Sequence, residues 1–115
     1  MLLAHALLAA AAAAVAAARQ PPPIAMLHAP MTPFTASGAV NISAIPALAA
    51  DAAASGVNFV FVVGGMGQYD ALTIAERKAV ASAWLAAGRP LGLYICVHVG
   101  STVQLDAIDG GAPLL

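Results

Sequence analysis

An α/β fold built on a parallel sheet is the class this sequence predicts, and three observations carry the expectation. An apolar run, VNFVFVV at residues 57–63, shows almost no polar alternation, as in a strand covered on both faces. It leads straight into a glycine turn, GGMGQ, and then into a helix start, LTIAERK, giving the order strand, loop, helix. The same plan stands on either side, with a first strand and helix over residues 24–56 and a third strand over 91–99. Strands that alternate with helices in this way pair in parallel through right-handed crossovers.

The chain opens on a segment of a different kind, residues 1–20. Leu2, Leu3, Leu7 and Leu8 lead into an alanine run, and Ala16 and Ala18 place small residues before Arg19 at the spacing of a cleaved targeting signal. Polyalanine is also a common low-complexity extension, so both readings stand. The apolar stretch is near the lower limit of the ~20 residues that cross a bilayer, which makes a membrane anchor the weaker expectation. A signal would send the chain to a secretory or organellar compartment.

Pro21, Pro22 and Pro23 break any helix and mark the boundary of the main unit, residues 21–107. Residues 24–29 read as a short strand ended by Pro30 and Pro33. Ser43 is placed to cap a helix with Pro46 in its first turn, and Ile45, Leu48, Ala49 and Ala52 then share a face. Gly56 closes that helix. After the second strand, Thr73 and Glu76 have the spacing of a capping box. Val80, Ala83, Trp84 and Ala87 make the face that packs on the sheet, and Gly88 with Pro90 ends the helix. LGLYICVHV at 91–99 is the third strand. Beyond Gln104 a third helix is due, but two glycines and a proline interrupt it, and residues 108–115 read as a divergent tail.

Composition excludes several function classes. Of 115 residues, 62% are hydrophobic and 8% charged, with a net charge of -1; soluble domains carry roughly a quarter charged residues. Arg19, Arg77, Lys78 and Arg89 are scattered and form no basic stripe, so nucleic acid is not an expected partner. The lone Cys96 rules out a disulfide framework and reads as a buried, inert thiol. His28 and His98 have no carboxylate or cysteine at metal spacing and read as buried, hydrogen-bonded side chains. Asp106 and Asp109 read as solvated charges, and Ser101 has no triad partners. GGMG lacks both the dinucleotide spacing and the P-loop lysine. Neither a metal nor a cofactor is expected.

Periodicity leaves an open doubly wound sheet and a closed barrel equally available. Three segments decide between them: APMTPFTASGAVNIS, GVNFVFVVGGMGQYDALTIAERKAVASAW and YICVHVGSTVQLDA. In order and spacing they resemble the opening strands and helices of the N-acetylneuraminate lyase and dihydrodipicolinate synthase family, over residues 24–107. The resemblance implies a (β/α)8 TIM barrel, of which about three strands and two helices are present, with its site at the C-terminal strand ends.

It also implies a class I aldolase chemistry in which a lysine forms a Schiff base with a 2-keto acid such as pyruvate or sialic acid. Cytoplasmic location and a homo-oligomer are what it implies for the full-length form. In the family, a Gly-Thr-Thr-Gly-Glu loop after the second strand holds the keto-acid carboxylate and contacts a proton-relaying tyrosine. The matching residues are Gly64, Gly65, Met66, Gly67 and Gln68, so both hydroxyls are missing. The substrate-binding positions carried over are Thr32, Gly65, Met66 and Gly67, with the amides of Met66 and Gly67 left to cradle an anion. No catalytic residue is carried over, because the lysine and relay tyrosine belong to later strands. Lys78 reads as a solvated helix residue, and neither Tyr69 nor Tyr94 matches the relay tyrosine. The expectation is a truncated relative, inactive alone, or a non-catalytic fragment that associates with a full-length barrel.

Overall fold

The computed structural model describes residues 1–18 and 21–101. Helix α1 (Leu2–Ala18) precedes strand β1 (Leu27–His28), helix α2 (Ile45–Ala54), strand β2 (Phe59–Val62), helix α3 (Ile74–Gly88) and strand β3 (Tyr94–Val97). The strands form one sheet in the order β1-β2-β3, both pairings parallel. Each strand is shorter than its apolar run, because only the residues in mutual register complete the ladder: Leu27 with Phe59, and Phe59 with Tyr94 through Val62 with Val97.

The core lies between the sheet and α2 with α3. Ile45, Ala49 and Ala52 from α2 and Val80, Ala81 and Trp84 from α3 bury themselves with Val60 and Val62 of β2. Leu48, Ala83, Ala87, Ile95 and Val97 pack against that cluster from its rim. Because side chains alternate along a strand, Leu27, Phe59, Phe61, Tyr94 and Cys96 fall on the opposite face. No helix among the described residues covers that face, and Leu27 and Tyr94 are exposed on it.

Local signals explain how these elements begin and end. Ser43 does not cap α2: its hydroxyl donates to Asn41 Oδ1 at 2.7 Å. A turn of 3-10 helix, Ile42–Ala44, leads into α2 instead, with Pro46 in the first turn as expected. The far end of α2 is a Schellman closure. Gly56 takes φ +82°, its N–H donates to the Ala53 carbonyl, and the Val57 N–H donates to the Ala52 carbonyl, both at 3.2 Å. The capping box at Thr73 and Glu76 is complete in both directions.

The end of α3 falls where Gly88 and Pro90 were expected to stop it. Gly88 is its last helical residue, and a 3-10 turn, Arg89–Leu91, follows before Gly92 reverses the chain at φ +77°. The smallness of Gly88 serves packing, since a Cβ there would stand 2.9 Å from Ile95 Cδ1. One tie was not anticipated. Asn58 accepts from the N–H groups of Ala25 and Met26 and donates to the Pro23 carbonyl, fixing the approach to β1 against β2.

The described side chains of α1 are exposed. Among the described residues no helix is long and apolar enough to cross a membrane. Residues 102–107 of the main unit and the 108–115 tail lie outside the described residues, as do Asp106 and Asp109.

Candidate functional site

A parallel sheet brings the ends of its strands to one edge, and here that edge gathers Thr32, Gln68 and His98. The loop after β1 carries Thr32, the loop after β2 runs from Val63 to Gln68, and His98 to Gly100 follow β3. Thr32 is buried and its hydroxyl donates to the Gly67 carbonyl at 2.6 Å. Two of the predicted binding residues are therefore joined across two strands. Gly65 and Met66 form the exposed crest of the loop.

The glycine loop is shaped by backbone geometry. Val63 leaves the strand at φ +51°, in the left-handed region that a β-branched residue rarely occupies, and Gln68 closes the loop at φ +56°. Gly67 folds back so closely that a Cβ would lie 2.9 Å from Val63 Cα. Gly64 is held as tightly, since its Cβ position is filled by the ring of Phe61. The N–H groups of Gln68 and Tyr69 are used inside the turn, donating to the carbonyls of Gly65 and Gly64. Those of Met66 and Gly67 make no such bond among the described residues.

Behind the loop lies a cluster that the sequence did not announce. The His98 Nδ1–H faces the Val63 carbonyl at 3.1 Å, its ring packs edge-on to Tyr69 with centroids 4.7 Å apart, and Phe61 lies 6.0 Å away. The Arg77 guanidinium carbon sits 5.9 Å from the centroid of the Tyr69 ring, and its NH1 donates to the Gly100 carbonyl at 3.1 Å. Arg77, read in sequence only as one of four scattered basic residues, is 9% exposed. The one available signal was its place in α3, one position beyond the capping glutamate and in register with the buried Val80, Ala81 and Trp84 face.

Other expectations need correction. His28 is exposed, because it sits on an edge strand beyond the reach of α2 and α3. His98 is half-buried and hydrogen-bonded, close to its reading. Cys96 is half-buried, since no helix among the described residues covers its face of the sheet. Lys78, expected to be solvated, is half-buried on α3. Among the described residues no group of three histidine, cysteine or acidic side chains is placed to hold a metal ion. A hollow of about 290 Å³ lined by Leu85, Arg89, Leu93, Tyr94 and Ile95 lies at the other end of β3.

No family model matches the chain. Over 76 residues it is 38% identical to an N-acetylneuraminate lyase of Danio rerio, a match covering 65% of this chain and 25% of that protein. Among solved structures, the N-acetylneuraminate lyase of Proteus mirabilis superposes with a TM-score of 0.73 at 32% identity, over 76% of this chain and 29% of that one. The enzyme of Aliivibrio salmonicida gives 0.72 at 32% identity, over 75% and 28%. A dihydrodipicolinate synthase of Aquifex aeolicus shares the fold, with a TM-score of 0.71 at 21% identity over 77% and 30%. The chain spans between a quarter and a third of the length of these relatives. The sheet and its two helices are thus part of a TIM-barrel aldolase fold, and the chain resembles the N-terminal part of the N-acetylneuraminate lyase and dihydrodipicolinate synthase family.

Proposed function

We propose that this chain forms the opening strands of a Schiff-base aldolase of the N-acetylneuraminate lyase type, whose full-length form cleaves or condenses a 2-keto acid. In that chemistry a lysine amine adds to the keto carbon, water leaves, and the iminium accepts the electron pair of the breaking carbon–carbon bond. The observation that carries the reading is the glycine loop at the strand ends, tied to β1 by Thr32 and presenting the amides of Met66 and Gly67. That arrangement suits the carboxylate end of a keto acid. With Gly65 and Met66 where the family has two hydroxyls, the amides hold the carboxylate by themselves and the loop relays no proton.

The same reading makes these 115 residues inactive alone. Lys78, the one lysine, belongs to α3 and not to a strand end. Incubation with pyruvate and borohydride, followed by peptide mass analysis, is expected to leave Lys78 unmodified; a reduced adduct there would overturn the claim of inactivity. The aldolase reading itself is tested by a chimera in which this stretch replaces its counterpart in the Proteus mirabilis enzyme. Slow but measurable release of pyruvate from N-acetylneuraminate supports it, and a folded chimera that no longer binds pyruvate sinks it.

A second reading has its own observation. Leu27 and Tyr94 are exposed on the face of the sheet that no helix covers among the described residues, and this favours a non-catalytic fragment that associates with a full-length barrel through that face and the strand edges.

A further inference from the structure

We infer that Arg77, Tyr69 and His98 form a brace that holds the left-handed turn at Val63, making Arg77 a positioning residue for the glycine loop. The inference rests on the geometry of the loop and needs no keto acid in the site.

Arg77 is the starting point because its burial calls for a reason. A guanidinium withdrawn from water is costly unless its hydrogen bonds are replaced, and here Nε has no hydrogen-bond partner among the described residues. Among the described residues, the Gly100 carbonyl that it meets and the Tyr69 ring that it faces carry no charge. A leucine or methionine would fill the same space without that cost. What the guanidinium adds is direction: one donor ties α3 to the end of β3, and its charge stands over the Tyr69 ring.

From Tyr69 the contact passes to His98, whose ring is confined on three sides. Tyr69 and Phe61 flank it, and Gly100 lacks a Cβ where one would lie 2.5 Å from Nε2. Confinement aims Nδ1 at the Val63 carbonyl. A carbonyl only accepts, so Nδ1 carries the proton. Val63 needs this support, because a β-branched residue with positive φ persists only where its surroundings over-determine it. The turn it makes sends the chain from β2 into the loop that carries Met66 and Gly67.

The test uses the whole chain labelled with methyl-13C methionine and 15N histidine. In Arg77→Met and Tyr69→Leu the Met66 methyl signal is expected to move by more than its linewidth and the His98 Nδ1–H cross-peak to be lost. Tyr69→Phe keeps the ring and is expected to retain both native signals. Val80→Ala truncates a buried residue of the same helix outside the brace; it is expected to lower stability and leave both signals in place. Unchanged signals in a folded Arg77→Met protein, or equal changes in Val80→Ala, overturn the inference. If Arg77→Met does not fold, Tyr69→Leu decides by the same two outcomes.

Discussion

Thr32 shows how a single hydroxyl can matter for position more than for chemistry. It is buried, and its bond to the Gly67 carbonyl satisfies an acceptor that the fold has withdrawn from water. Thr32→Val keeps the shape and leaves that carbonyl unpaired, a loss of about 1–3 kcal/mol. Urea unfolding is expected to show the loss for Val and to spare Thr32→Ser. The loop glycines divide in the same physical way. A Cβ at Gly67 meets the backbone of Val63, whereas one at Gly65 meets nothing within 4 Å. Gly67→Ala is therefore expected to cost about 1–3 kcal/mol, with Gly65→Ala near neutral by the same measurement.

Helix α3 is where sequence and structure agree in most detail, because its start is decided within four residues. Thr73 and Glu76 satisfy each other's backbone donors, and Thr73→Ala is expected to cost about 1 kcal/mol of unfolding free energy. The bonds that Glu76 accepts from the Thr73 backbone and hydroxyl hold its carboxyl below the usual carboxylate range. A lowered folded-state pKa adds stability above the ordinary value and loses it as pH falls through the lowered one. The difference in stability between the native chain and Glu76→Gln is thus expected to be constant near neutrality and to shrink on acidification. A pH series of urea melts reads it directly, and a difference that grows on acidification contradicts the assignment. At the end of α2, Gly56 needs its positive φ but has open space around it. Gly56→Ala therefore carries a backbone cost of about 1–2 kcal/mol and no clash.

For the molecule as a whole, the helix-free face of the sheet dominates. The outer edges of β1 and β3 have no strand neighbours among the described residues, and Leu27, at 48% exposure, and Tyr94, at 41%, stand on that face. Apolar surface beside open edges favours association. Sedimentation is expected to show species larger than the 11.3 kDa monomer. The double variant Leu27→Lys, Tyr94→Lys is expected to shift the population toward monomer with unchanged helix content. A wild-type chain that is monomeric at tens of micromolar would remove the basis for the fragment reading.

What the sequence determined by itself was local or periodic. The unalternating run at residues 57–63, the capping box and Gly56 each act through neighbours a few positions away, so the order of strands and helices and most of the packed faces were legible. The Thr-Pro-Phe, Gly-x-x-Gly and His-Val-Gly segments likewise led to the family and to Thr32, Gly65, Met66 and Gly67. Tertiary structure decided what depends on residues far apart in the chain. Thr32 and Gly67 meet only when β1 and β2 lie side by side. Buried Arg77 meets Gly100 and Tyr69 only through the fold, and the carbonyl of Val63, in its left-handed turn, pairs with a histidine 35 positions away. His28 and Cys96 were misjudged for the same reason. Apolar neighbours in sequence do not bury a side chain unless another layer covers its face, and composition carries no record of which face that is.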